Sequence, residues 1–128
     1  MADITPNVAF KIGNDPGEDD GSLRTATWTN LNGANNTGVA IKFPQHSDRT
    51  VQLVGCINAA TVVIQGSNDG TNYANCTDST GAVASFTALG IKQLVEAPLF
   101  VRPHMPVNNI ASDVSVVMLL RRNSPLTR

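Results

Sequence analysis

The sequence predicts an all-β domain, a jelly-roll-like β-sandwich of about eight short strands with an extended N-terminal arm. Three observations predict it. The stretch Val62 to Tyr73 reads as a hairpin: a β-branched run, Val62-Val63-Ile64, then a turn centred on Asp69-Gly70, then an aromatic that resumes the strand. Asp-Gly between apolar runs suits a type I′ turn, which requires positive φ at both central residues. Short runs of β-formers separated by Gly, Pro, Asn and Asp recur along the chain. No segment sustains a helical period. An immunoglobulin-like sandwich is the rival, weakened by the lack of a Cys-Trp-Cys framework.

The elements follow in order. Residues 1–24 read as an arm, rich in Pro and Gly. Within it, Val8-Ala9-Phe10-Lys11-Ile12 alternates and suits either an added strand or docking on a partner. The sandwich spans 25–122. Thr25 to Thr29 is the first strand. Val39 to Phe43 alternates cleanly and is the second, ended by Pro44. Thr50 to Cys56 is the third. Thr61 to Gln65 and Tyr73 to Cys76 form the hairpin, and Val83 to Thr87 is short and alternating. The run Gly90 to Glu96 is ambiguous between a helical turn and a strand. Leu99 to Pro103 reads as a strand that ends at an edge, because proline lacks a ladder donor. Ser112 to Arg122 is the longest. It places Val114, Val116, Met118 and Leu120 on one face and Ser115, Val117, Leu119 and Arg121 on the other. That second face turns apolar midway, which implies cover by a strand or a partner. Residues 123–128 are a tail.

Composition narrows the function. Charged residues make up 15% of the 128, well under the usual quarter, and the formal net charge is −1. A weakly charged polar surface suits burial against other protein. No Lys/Arg stripe exists to contact phosphates, so no direct nucleic-acid partner is expected. No apolar run approaches the roughly 20 residues that span a bilayer, so no membrane role is expected. The first residues lack the pattern of a secretory signal. Without secretion the two cysteines, Cys56 and Cys76, read as reduced thiols rather than a bridge.

Chemistry is sparse. His46 and His104 have no His or Cys at metal-ligand spacing, and read as loop or surface imidazoles. Ser47, His46 and Asp48 are adjacent and cannot converge as a triad. The acidic stretch Asp15 to Gly21 lacks the alternation of an EF-hand loop. Asp69 is a turn residue by its context. Trp28 and Tyr73 read as packing residues before a sugar platform. No catalytic residue, metal site or cofactor is expected, and the chain reads as a non-enzyme.

The order of several pieces resembles a family. These are Gly66-Ser67-Asn68-Asp69-Gly70-Thr71-Asn72-Tyr73, the turn Thr77-Asp78-Ser79-Thr80-Gly81, the segment Phe86 to Lys92, the strand Phe100-Val101-Arg102-Pro103, and a Val-rich last strand ending Arg121-Arg122. Over about half the chain this resembles the head cement, or decoration, proteins of short-tailed bacteriophages of the Bordetella-phage type. The resemblance implies a jelly roll on the outer capsid surface of the virion, made in the host cytoplasm, that clamps adjacent major capsid subunits, commonly in pairs. The arm, the half-apolar outer face of the last strand and the tail supply the expected partner contacts: Phe10, Ile12, Leu119, Arg121, Arg122 and Arg128. The expected partners are the major capsid protein and a second copy of the chain, as a homodimer. The alternative is a carbohydrate-binding module of a phage tail or enzyme that uses Trp28 or Tyr73.

Overall fold

The structure is a computed structural model and describes residues 7–11, 23–33, 35–107 and 112–122. Among these residues the chain is all-β. The strands are β1 (Asn7–Lys11), β2 (Leu23–Leu31), β3 (Asp48–Cys56), β4 (Thr61–Ser67), β5 (Ala74–Asn75), β6 (Ser85–Phe86), β7 (Gly90–Leu94), β8 (Phe100–Val107) and β9 (Asp113–Arg121). Every strand pairing is antiparallel. One sheet has the order β1-β2-β9-β3-β7; in the other, β4 pairs with β8 and with the short β5 and β6. Isolated bridges at Thr37 and Ile41 add the segment 37–41 to the outer side of β8. From β2 onward the path alternates between layers: β2, segment 37–41, β3, β4 to β6, β7, β8, β9.

One core fills the space between the layers. β9 contributes Val114, Val116, Met118 and Leu120, none with any exposed surface. They meet Val62, Ile64 and Phe86 of the second sheet in a single cluster. Each such side chain contributes roughly 1.5–3 kcal/mol by leaving water. Trp28 supplies the bulk that this aromatic-poor chain otherwise lacks. It is fully buried, and its indole N–H donates to the Val39 carbonyl at 2.9 Å. The bond fastens segment 37–41 to the opposite sheet.

Several expectations are corrected. The interval 39–43 makes only one isolated bridge, Ile41 with Val101. Its partner β8 carries Pro103, whose carbonyl accepts from the Gly38 N–H at 3.0 Å but which has no N–H to return. β8 itself does not end there; it runs on to Val107 because Pro103 turns its missing donor away from β4. The run 90–94 is a strand, with Leu94 buried and Ile91 and Gln93 exposed in alternation. Asp69-Gly70 is not a type I′ turn, since only Gly70 has positive φ, at 78°. Positive φ at two consecutive residues falls instead on Asn58 (44°) and Ala59 (67°), in a turn closed by the Ala60 N–H on the Ile57 carbonyl at 2.9 Å. That turn carries the chain from β3 in one sheet to β4 in the other. The arm contributes β1, which pairs with β2.

His46 is also corrected. It lies in a loop but is only 4% exposed, packed edge-on against Phe43 with ring centroids 5.8 Å apart. Beside it Arg49, 1% exposed, donates from Nε to the His46 carbonyl, from Nη1 to Pro98 and from Nη2 to Phe43, at 2.8, 3.0 and 3.1 Å. Burial lowers the pKa of this guanidinium, and the nearby Cys76 opposes the shift. A planar fork with several donors matches three carbonyls from two loops, which a lysine cannot do.

Candidate docking face

Of the expected contact residues, Leu119 and Arg121 lie on the outer face of the five-stranded sheet, whereas Phe10 falls in the register row of Arg24 and the buried Leu120. Cross-strand register sets the rows of that face. One row is Thr25, Leu119, Thr50 and Gln93; the next is Thr27, Val117, Gln52 and Ile91. Val117 and Leu119 are half-buried and form an aliphatic column between Thr and Gln neighbours. At one end Leu23, Arg121 and Asp48 stand in register, and Arg121 pairs with Asp48 at 3.7 Å. The centre of the face therefore has no charge. A shallow concavity of about 310 Å³ lies over Thr50, Gln52, Ile91, Val117, Leu119 and Arg121.

Leu119 and Arg121 share this face, and Arg122 follows β9 half-buried. Phe10 stands opposite Arg24 in the register of β1 and β2. Ile12 and Arg128 lie outside the described residues, as does the acidic stretch Asp15 to Gly21.

Sequence reasoning missed the β7 side of the face. Ile91 is 62% exposed, Val95 61% and Leu89 50%. β7 is an edge strand. Residues 77–78 cover its far end, where the Val95 N–H reaches the Thr77 carbonyl. That bond turns the N–H groups of the odd positions outward, so Ile91 presents its backbone at the edge. The signal was present in the alternation of 91, 93 and 95, but the ambiguity of 90–96 hid it.

The other chemical candidates resolve into structure. The Asp69 carboxylate accepts from the Ser67 hydroxyl, the Thr71 and Asn72 N–H groups and the Asn72 amide, all at 2.8 Å. The two backbone bonds from Asn72 and Thr71 are the main reason its pKa falls well below the usual carboxylate range. Asp78 organises the next turn through Thr80 and Ala82, with Lys92 at 3.5 Å. The His104 Nδ1 lies 2.9 Å from the Thr37 hydroxyl; burial, then the charge of Arg102, lowers its pKa. Burial of Trp28 removes it from any surface platform. Tyr73 is half-buried, with Arg102 against one ring face. Both cysteines are free: Cys56 is exposed and Cys76 buried. Among the described residues no group of His, Cys, Asp and Glu is arranged to hold a metal ion.

No family model and no curated protein matches this sequence. The fold, however, is similar to that of a solved structure. The SPBc2 prophage-derived protein YomS superposes with a TM-score of 0.54 at 15% identity, over 77% of this chain and 93% of that one. The cleaved adhesin domain of Lys-gingipain from Porphyromonas gingivalis reaches 0.39 at 10% identity, over 94% and 85%. CpGH89 from Clostridium perfringens, in complex with GlcNAc-alpha-1,4-galactose, reaches 0.40 at 12% identity, over 93% of this chain and 14% of that one. The first likeness is one of fold.

Proposed function

We propose that this chain is a non-enzymatic structural protein of a bacteriophage particle, a head cement protein. It seats the outer face of its five-stranded sheet on the shell of the major capsid protein, on the outer capsid surface, and clamps adjacent subunits. The observation that carries this reading is the charge-free centre of that face, where an aliphatic column on β9 is flanked by Thr and Gln side chains of β2 and β3. Interface cores are depleted in charge in the same way. The strand order supports it: alternation of successive strands between layers is the order we read as a jelly roll. The prophage origin of a protein with a similar fold agrees with it.

The physical logic is linkage. A protein that binds only the assembled lattice stabilises that lattice by its own binding free energy. Many copies in fixed geometry multiply a modest affinity. A sandwich loses little ordering entropy on docking. Copies pair on the shell through the open β7 edge, where a strand of a second copy satisfies the outward backbone groups and covers Ile91.

The test uses particles of the encoding phage stripped of this chain. Purified chain should rebind saturably, at a fixed ratio to the major capsid protein, and raise the temperature at which particles release DNA. Leu119→Arg should abolish rebinding while its own Tm stays near that of the parent, since the site is half-exposed. Absence of rebinding by the parent chain at saturating concentration would overturn the reading.

A further inference from the structure

The outward face of the second sheet holds an oriented cation that the capsid reading does not use. Along β8, Phe100, Arg102 and His104 point outward, while Val101, Pro103 and Met105 are buried. The guanidinium carbon of Arg102 lies 3.8 Å from the centroid of Tyr73. Its Nε–H donates to Gln65 Oε1 at 3.1 Å. Gln65 is the cross-strand partner of Arg102 on β4 and of Asn75 on β5. The ring covers the guanidinium and the amide accepts its Nε–H, so neither support uses a hydrogen bond of the terminal Nη groups.

No carboxylate among the described residues lies within 4 Å of Arg102. The same holds for Lys42, whose ammonium sits 5.6 Å from the centroid of Phe100, two residues along β8. The loop beside Phe100 does carry an acid, Asp69, but four donors within its own loop already occupy that carboxylate. An exposed arginine is usually a mobile charge. This one is stacked, braced and left without an acid, on a face that otherwise presents the neutral Gln65, Asn75 and Thr37 and the imidazole of His104. Such an arrangement lowers the ordering cost of binding a planar anion. A fixed guanidinium fork matches a carboxylate through two parallel N–H···O bonds.

We propose that Arg102, stacked on Tyr73 and braced by Gln65, receives a carboxylate from an acidic, extended segment of a partner protein, with Lys42 taking the carboxylate two residues away on that segment. Charge complementarity names the chemistry. Placement names the form: Lys42 lies beside Phe100, one i to i+2 step of about 6.6–6.8 Å along β8 from Arg102 and one strand to the side, so an extended segment running along the strand can meet both cations. The proposal stands apart from docking of the five-stranded face, and its test reads it separately.

The full chain, labelled with nitrogen-15, is titrated with an acetylated, amidated peptide of alternating Glu and Thr. The same peptide with Gln in place of Glu, an oligogalacturonate and inorganic phosphate are run in parallel. The Glu peptide should shift amides of β8, of residues 73–75 and of 37–42, and the Gln peptide should not. Arg102→Lys keeps the charge but loses the fork, and should weaken binding at least tenfold; Tyr73→Leu should weaken it several-fold. Equal binding of both peptides, or an Arg102→Lys chain that binds like the parent, would overturn the proposal. So would a response to oligogalacturonate or phosphate without one to the Glu peptide, which would assign the face to an acidic sugar or a free anion.

Discussion

Cys56 and Cys76 place the two thiols of the chain in opposite surroundings. Cys56 ends β3 in solvent, and Cys76 is buried after β5. Burial, with Glu96 adding and Arg49 opposing, pushes the Cys76 thiol up to about 11, so it carries no thiolate at neutral pH. We expect an Ellman titration to count one thiol in the native protein and two in guanidinium; two fast thiols in the native state would contradict the packing. Asp69 makes a second residue-scale case. Its carboxylate is held below the ordinary range, so its stabilisation is complete above the unfolded value and is lost as pH falls through the folded one. Asp69→Ala should therefore lower Tm at pH 7, and the gap should stay open near pH ~3, where an unperturbed Asp is largely protonated. A gap that closes by pH ~4 would mean an ordinary carboxylate. Ala59 holds a φ of 67° that costs an L-residue about 1 kcal/mol. Ala59→Gly should raise stability by roughly 0.5–1 kcal/mol in urea unfolding.

At the scale of elements, legibility followed the local physics. β9 was readable because its buried column is an unbroken apolar alternation, β3 because Val51 and Leu53 alternate with polar Thr50 and Gln52, and β4 because of its β-branched run Val62-Val63-Ile64. The turn at Asn58-Ala59 was not readable, because alanine is a poor residue for positive φ and the strain is imposed by the crossing between sheets. The run 39–43 misled because alternation marks which side chains face inward but says nothing of whether the neighbour can complete a ladder. Pro103 cannot. The docking face was half legible: Val117 and Leu119 announced it, but its threonines and β7 residues gain meaning only through register. Segment 37–41 yields its own test. A Cβ on Gly38 would lie 2.5 Å from Trp28 Cδ1 and 2.9 Å from Pro103 Cδ, both in place and neither free to move. Gly38→Ala should cost about 1–3 kcal/mol by overpacking. A loss below about 0.5 kcal/mol would show that this segment does not hold the Trp28 side of the core.

For the whole molecule, the two outward faces differ in kind. The five-stranded face is neutral at its centre, with the Asp48–Arg121 pair at its rim. The β8 face carries Lys42 and Arg102 without a carboxylate in reach. A sandwich with faces of such different character can engage two partners by different forces, and ionic strength separates them. Contacts dominated by apolar burial depend little on salt, whereas contacts between exposed charges weaken once the Debye length falls below their separation. Occupancy of stripped particles should change less than about twofold between roughly 50 mM and 500 mM salt, a range over which the Debye length drops from about 14 to about 4 Å. Affinity for an acidic peptide should fall several-fold over the same range. Steep loss of particle occupancy with salt would mean that the chain sits on the shell by its cationic face, and would invert the assignment of the two surfaces. Ile91→Lys sharpens the comparison, because a charge on the β7 edge blocks strand pairing. It should reduce pairing of copies on the particle, read by cross-linking, and leave peptide affinity unchanged.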